Sequence, residues 1–178
     1  MSIIGIVVVD SSWGIGRSNK DTGKGELLFQ LKKDMAWFKT QTADSIVFCG
    51  YNTLLSFPGS KPLKGRSTIC LCPEEVERDD CFCIHDFDIA VKLVKELAKT
   101  KNVYVIGGTM LYKAMLPYYD EMFVTKVDAD GGAEVFFPNL DENPDFEGKP
   151  IGQSIQDGDY TIRFWKYTRK IPLKEFEG

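Results

Sequence analysis

Short apolar runs recur along the chain, and between them lie segments in which apolar residues return every three to four positions. A continuous apolar run is typical of a strand buried on both faces, whereas the three-to-four spacing is typical of a helix that buries one face. The runs predict six strands, which are Ile3–Val9, Ser45–Cys49, Ser67–Cys72, Cys81–Ile84, Asn102–Ile106 and Glu121–Val127.

Helices are predicted between most of these strands. One surrounds Asp34, a short one begins near Asn52, and two more cover Asp88–Lys99 and Met110–Met115. Because strands and helices alternate, we predict an α/β fold with a mainly parallel central sheet and helices on both faces.

Three remaining segments have a different character. Asp10–Glu26 is polar and rich in glycine, and Asn139–Asp159 is acidic and contains several Pro and Gly residues, so both predict long loops. Tyr160–Arg169 alternates between apolar and polar positions, which predicts an antiparallel strand. The chain is therefore expected to end in an antiparallel hairpin.

Length and composition bound the class of protein. With 178 residues, of which 43% are hydrophobic, the chain fits one compact domain at 1–170 followed by a polar tail at 171–178. A formal net charge of -4 argues against a general affinity for nucleic acid or acidic membranes. The run Ile3–Val9 has no basic leader and is too short to cross a bilayer, so we expect a strand in a cytoplasmic protein.

The cysteines and the single histidine exclude several chemistries. Cys70-x-Cys72 and Cys81-x-Cys83 allow a zinc site, but alternate residues share one face of a strand, and small core thiols explain the same spacing. We therefore predict no metal. His85 lies in an acidic loop, where a solvated residue is expected, and this argues against Ser-His and Cys-His catalysis.

Asp34 is the most informative single residue. It lies among Leu31, Met35 and Phe38, which recur at helical spacing, so it is expected on the buried face of its helix. An ionised carboxylate in apolar surroundings needs a hydrogen-bond donor, and the local sequence supplies none. A cationic or amidine-like ligand is one partner; the alternative is a carboxylate at the helix edge that reaches water or a distant Arg.

Two strand-to-helix junctions are typical of phosphate binding. Val103–Ile106 runs into Gly107-Gly108-Thr109, and Gly50 follows Ser45–Cys49. Backbone amides at a helix N-terminus bind phosphate where no side chain intervenes, although tight turns explain the same glycines. Both junctions lie at carboxyl ends of predicted parallel strands, where open α/β sheets bind ligands.

Several further motifs are ordinary alone but specific in their order along the chain. They are the first strand with Trp13-Gly14-Ile15-Gly16, then Leu31, Asp34, Phe38-Lys39, Gly50, Thr53 and Leu63-x-Gly65-Arg66, then Val105-Ile106-Gly107-Gly108, Leu111-Tyr112, Leu116-Pro117, Asp120, Thr125 and Phe136-Phe137-Pro138. In this order they resemble the dihydrofolate reductase family over essentially the whole chain.

The resemblance implies an eight-stranded sheet and hydride transfer from NADPH to carbon 6 of 7,8-dihydrofolate. Protonation of N5 then gives tetrahydrofolate for one-carbon and thymidylate metabolism. It further implies a monomeric oxidoreductase that acts on this small molecule and is a target of antifolates.

The resemblance also implies a substrate site. Asp34 matches the acid that hydrogen-bonds the pterin ring, Thr125 the hydroxyl that supports this contact, and Arg66 the residue that binds the glutamate α-carboxylate. Leu28 and Phe29 are counted with Asp34 as catalytic because they stand where the family usually has Pro-Trp, whose indole helps to order water near the acid. The full substrate set is Ile4, Gly5, Asp34, Phe38, Phe57, Leu63, Arg66, Ile106 and Thr125.

A cofactor site follows from the same resemblance. Its residues flank the nicotinamide, hold the phosphates or meet the adenosine. They are Ile6, Ile15, Gly16, Gly50, Tyr51, Asn52, Thr53, Leu71, Cys72, Gly107, Gly108, Thr109, Met110, Leu111 and Tyr112.

Some positions depart from the family pattern. Leu28-Phe29 stands where Pro-Trp is usual, and Phe lacks the indole donor that helps to order water near the acid. The loop between Gly16 and Leu28 is longer than usual, and Glu134 stands where an Asp commonly braces that loop.

The adenosine subsite departs as well. Tyr51, Cys72 and Met110 replace residues that often contact the 2'-phosphate, which predicts a weakened NADPH preference. Two alternatives are a riboflavin-pathway pyrimidine reductase and a non-catalytic binding or assembly protein on the same scaffold.

Overall fold

The computed structural model of the protein describes residues 1–173. Within that range, six parallel strands and a C-terminal antiparallel pair form one eight-stranded sheet, which confirms the predicted α/β fold. The predicted tail 171–178 lies partly outside the described residues. No helix in residues 1–173 is long and apolar enough to cross a membrane.

The main elements follow the predicted order. They are β1 (Ile3–Val9), β2 (Gly14–Ser18), β3 (Gly25–Glu26), α1 (Lys32–Thr42), β4 (Ile46–Gly50), α2 (Tyr51–Ser56), β5 (Ser67–Leu71), β6 (Phe82–Ile84), α3 (Phe87–Leu97), β7 (Val103–Gly107), α4 (Thr109–Ala114), β8 (Glu121–Val127), β9 (Val135–Phe136), β10 (Phe146–Asp157) and β11 (Tyr160–Arg169). Short 3₁₀ turns lie at Pro58–Ser60, Leu116–Tyr118 and Leu140–Glu142.

The sheet has the strand order β10-β11-β8-β1-β7-β4-β5-β6. β1 lies at the centre of the sheet, with β8 on one side and β7 and β4 on the other. The connection from β1 to β4 and the connection from β7 to β8 therefore run in opposite directions across the sheet. The carboxyl ends of β1, β7 and β4 therefore meet at a topological switch point, which is where ligands bind in open α/β sheets.

Two loop predictions were wrong. Asp10–Glu26 contains β2 and β3, which join β9 in a small second sheet. Asn139–Asp159 contains the 12-residue strand β10. β10 pairs only with β11 at the edge of the main sheet, so most of its side chains are exposed and polar, and Pro150 is tolerated there.

The prediction of which face of α1 is buried was also wrong in part. Met35 is 47% exposed, and Thr42 is the one fully buried residue of the helix. Asp34, Trp37 and Phe38 are half-buried. α1 therefore buries only part of the predicted face, and Trp37 packs against Phe123 on β8 and Phe164 on β11.

Candidate active site

Asp34 has a hydrogen-bond donor from a distant strand. The Thr125 hydroxyl on β8 donates to Asp34 Oδ1 over 2.6 Å, and Thr125 itself is almost completely buried. Burial raises the pKa of Asp34 above its ordinary value, the Thr125 hydrogen bond lowers it, and the negative charge of Asp157 raises it. The structure thus brings together the acid and the hydroxyl that the resemblance paired.

Asp157 is a residue that sequence reasoning missed. Leu31 is at the N-cap of α1 and provides no side-chain cap. Instead, Asp157 Oδ2 accepts hydrogen bonds from the backbone N–H groups of Lys33 (2.9 Å) and Asp34 (3.1 Å). No local signal could have found this contact, because 123 residues separate Asp157 from Asp34.

Arg66 lies at the other end of α1. Its Nε donates to Thr42 Oγ1 (3.0 Å), Nη2 to the Lys39 carbonyl (2.7 Å) and Nη1 to the Lys64 carbonyl (2.5 Å). The guanidinium is therefore fixed beside the last turn of the helix while it remains half-buried. A planar cation held in this way is suited to bind a carboxylate through its remaining N–H groups.

Apolar side chains lie near this helix. Ile4, Ile6 and Ile106 are buried in one cluster, and Phe38, Phe57 and Leu63 pack on it while remaining half-buried. Gly5 points to the opposite side of the sheet, since a methyl group placed on it would lie 2.5 Å from Met122 Cε. Gly5 therefore adds no side chain to this cluster.

The two glycine junctions converge at the ends of β4 and β7. A methyl group placed on Gly50 would lie 3.8 Å from the Gly108 nitrogen, and one placed on Gly108 would lie 3.3 Å from Thr53 Oγ1. The Gly107–Gly108 peptide is cis, and Gly107 has a φ of 122°, which favours glycine. These glycines form a surface without side chains, in which Gly50 and Gly108 are half-buried and Gly107 is buried. Such a surface lets a phosphate group approach the backbone N–H groups closely.

Gly16 and Tyr112 connect this glycine surface to β1. A methyl group placed on Gly16 would lie 2.8 Å from Thr109 Cγ2, so the strand after β1 packs against the start of α4. The Tyr112 hydroxyl donates to the Ile6 carbonyl over 2.8 Å, and burial raises its pKa, so this phenol stays a donor at neutral pH. Ile15 is buried nearby in the main core cluster.

The remaining predicted cofactor residues, which include the 2'-phosphate positions Tyr51, Cys72 and Met110, differ widely in exposure. Tyr51 and Leu71 are half-buried, Asn52 is exposed, and Met110 is 85% exposed. Cys72 is buried, with its Sγ 3.2 Å from Cys83 Sγ, and Leu111 is part of the main core cluster. The Cys72 and Leu111 side chains therefore pack inside the protein.

The segment that follows β1 is braced at several points. Glu134 Oε1 accepts a hydrogen bond from the Ser18 backbone, and the Glu134 N–H donates to the Gly16 carbonyl, both over 2.9 Å. Arg17 binds Glu26 Oε1 (2.8 Å) and the Gly131 carbonyl (2.8 Å). Glu134 thus occupies the bracing position that the resemblance implied.

Phe29 is buried, and Leu28 is half-buried beside it. The Phe29 ring packs edge-on against Tyr160 with the ring centroids 4.8 Å apart. This contact joins the segment before α1 to the β10–β11 hairpin.

Four of the five cysteines lie on or beside the neighbouring strands β5 and β6 at the edge of the sheet, and Cys49 lies on β4. Burial raises the pKa of the Cys72 thiol, and burial and neighbouring thiols raise the pKa of Cys81 to about 12. Residues 1–173 contain no group of three or more His, Cys, Asp or Glu side chains arranged to hold a metal ion.

The fold and the site together define an α/β protein with a half-buried acid at one side of the sheet's switch point and a glycine-lined cradle at the other. The sequence profile described as dihydrofolate reductase matches residues 2–169. The chain therefore belongs to the dihydrofolate reductase family.

Individual relatives support the same assignment. The chain is 28% identical over 157 residues to a dihydrofolate reductase of Haemophilus influenzae, covering 88% of this chain and 91% of the relative. It is 30% identical over 200 residues to that of Pneumocystis carinii, covering 90% and 94%. It is 26% identical over 172 residues to that of Bacillus subtilis, covering 95% of each.

Proposed function

We propose that the protein catalyses the NADPH-dependent reduction of 7,8-dihydrofolate to 5,6,7,8-tetrahydrofolate. The observation that carries this proposal is the half-buried Asp34 carboxylate, which accepts a hydrogen bond from Thr125 at the same end of the sheet as the glycine cradle. An acid with its second oxygen free to bind a ligand fits a heterocycle that presents adjacent N–H groups.

The positions of Asp34 and Arg66 favour a long substrate with unlike ends. Asp34 lies in the first turn of α1, whereas Arg66 binds Lys39 and Thr42 in its last turns. At 1.5 Å per residue, these ends are roughly 10 Å apart, which suits a pterin ring at Asp34 and a carboxylate tail at Arg66. The half-buried Phe38, Phe57 and Leu63 provide apolar contacts for the ring system between them.

Asp34 also promotes the uptake of the proton that the reaction consumes. Burial raises the pKa of Asp34, so its charge is poorly compensated before substrate binds. A carboxylate in this state stabilises positive charge on the substrate and thereby favours protonation of N5. Phe29 lacks a polar atom, so in this chain the proton reaches N5 through water ordered by groups other than an indole.

The glycine cradle fits the pyrophosphate of a dinucleotide. Gly50, Gly107 and Gly108 lie at the N-termini of α2 and α4, where no side chain covers their backbone. A methyl group placed on Gly107 would lie 3.5 Å from Thr53 Oγ1. When bound, NADPH supplies the hydride. Ile15, Gly16 and Tyr112 position its nicotinamide and exclude water from it.

We infer that the preference for NADPH over NADH is weaker than is usual in the family. Cys72 is buried and Met110 is neutral, so neither provides a charge for a 2'-phosphate. The ratio of kcat/KM for the two cofactors measures this preference. A ratio clearly above one is expected, and equal efficiencies would contradict the assignment of NADPH.

The decisive experiment follows NADPH absorbance with dihydrofolate as substrate. Asp34→Asn should keep cofactor affinity while losing most turnover, because only the charge on the acid is removed. A riboflavin-pathway pyrimidine substrate in place of dihydrofolate tests one alternative. Absence of turnover with either substrate would favour the non-catalytic binding protein.

We further propose that residues 1–170 act as one unit, as a cytoplasmic monomer. Eight of the strands share one sheet. Arg66, in the loop before β5, donates to Lys39 and Thr42 in the last turns of the helix that carries Asp34. The site is therefore complete within one chain. Sedimentation at the concentration used for kinetics should give a single species near 20 kDa.

A further inference from the structure

The helix that carries Asp34 is capped from the opposite end of the chain. A helix N-terminus leaves its first backbone N–H groups without partners inside the helix. In α1 two of these groups, from Lys33 and Asp34, donate to the same oxygen of Asp157. Leu31 at the N-cap has no side chain able to replace this contact.

The position of Asp157 is fixed by its own surroundings. Asp157 is 4% exposed and is the last residue of β10, where it pairs with Tyr160 across the turn Gly158–Asp159. Gly158 has a φ of 61°, which glycine adopts without strain, so the turn can close directly behind the carboxylate. The Lys33 ammonium also donates to the Gln156 carbonyl over 2.6 Å. The β10–β11 hairpin is therefore joined to α1 through two successive residues, Gln156 and Asp157.

Asp157 acts on Asp34 in two ways. It bonds the backbone of Asp34 itself, and its negative charge raises the pKa of the Asp34 carboxyl. The other groups near Asp34 are the neutral hydroxyls of Thr125 on β8 and Tyr112 on α4. The Lys33 ammonium on α1 contacts the Gln156 carbonyl instead. Asp157 is thus the anionic group that opposes ionisation of Asp34.

We propose that Asp157 is a positioning residue for the reaction: its carboxylate holds the first turn of α1 so that Asp34 faces the substrate ring, and it places a second negative charge close to that acid. This inference rests on the proposed function, in which Asp34 binds the substrate.

Three variants separate the two effects. Asp157→Asn keeps an oxygen that accepts from the helix but removes the charge, whereas Asp157→Ala removes both. Asp159→Asn is the matched control, because it removes one negative charge from an exposed position in the same turn. Each is compared with the unchanged protein in two measurements: the carboxyl ¹³C NMR titration of Asp34 without ligand, and the pH profile of kcat/KM for dihydrofolate.

In Asp157→Asn the pKa of Asp34 should fall by roughly half a unit. The alkaline limb of the kcat/KM profile should shift to lower pH by the same amount. The KM for dihydrofolate should stay near that of the unchanged protein. Asp157→Ala should raise this KM roughly tenfold and accelerate hydrogen exchange of the Lys33 and Asp34 amides. Asp159→Asn should leave both measurements unchanged.

The proposal is overturned if Asp157→Asn leaves the titration of Asp34 unchanged, or if Asp159→Asn shifts it equally. Because the NMR titration needs no turnover, it decides the coupling even if the unchanged protein does not reduce dihydrofolate. That last result would contradict the proposed function separately.

Discussion

The hydrogen bond from Thr125 to Asp34 provides a sharp test of the site. Thr125→Val preserves the shape of a residue that is 1% exposed but removes the donor 2.6 Å from the carboxylate. A hydrogen bond to a charged group contributes about 1.5–3 kcal/mol, whereas one between neutral groups contributes about 1 kcal/mol. The difference predicts that the pKa of Asp34 rises by roughly one unit.

The sign of the pH dependence follows from this shift. The pKa of Asp34 is higher in the folded than in the unfolded protein, so the folded state binds more protons between the two values. The stability that Asp34 contributes is therefore greatest at pH values below its ordinary pKa of 3.8, and it is lost as the pH rises through the pKa in the folded protein. At pH 8, where Asp34 is charged, Thr125→Val should reduce the free energy of unfolding by about 1.5–3 kcal/mol. Below the ordinary pKa of Asp34, where the carboxyl is neutral, the reduction should be only about 1 kcal/mol.

The assay is urea unfolding at several pH values, together with the ¹³C titration of Asp34. Thr125→Ser is the control, since it keeps the hydroxyl and should leave the pKa close to that of the unchanged protein. If Thr125→Val left the pKa unchanged, or if both variants lost stability equally at all pH values, the charged hydrogen bond would not account for the state of Asp34.

Three further results are expected. Arg66→Lys keeps the charge but loses the planar fork that binds Thr42 and Lys39, so the KM for dihydrofolate should rise roughly tenfold; an equal rise for a substrate without its glutamate would contradict this role. Thr53→Val should weaken cofactor binding by roughly tenfold in calorimetry and leave dihydrofolate binding unchanged, and loss of both would indicate a general structural effect. Because the pKa of Cys81 is raised to about 12, alkylation of Cys81 by iodoacetamide at pH 8 should be far slower than that of a free thiol; peptide mass mapping checks this, and rapid modification would refute it.

The central parallel strands could be predicted because they are buried on both faces. Ile46–Gly50 and Val103–Gly107 are continuous apolar runs that only this environment explains. β10 could not be predicted in the same way, since one edge and most of its side chains face solvent. Its glycines and prolines favour a loop locally, and pairing with β11 overrides that preference.

The candidate site likewise has features that could be predicted from the sequence and features that could not. The convergence of Gly50 and Gly108 follows from their positions at the ends of parallel strands, so it was accessible from the sequence. The bond from Thr125 to Asp34 was accessible only through the family resemblance. The cap from Asp157 was not accessible at all, because it depends on where a distant hairpin turn meets a helix.

The central claim is that Asp34 binds the pterin ring, and a crystal structure with folate tests it most directly. We predict that the Asp34 carboxylate hydrogen-bonds the ring N3 and 2-amino group while Thr125 still donates to it. A structure in which folate is bound but Asp34 faces solvent, without contact to the ring, would contradict the account.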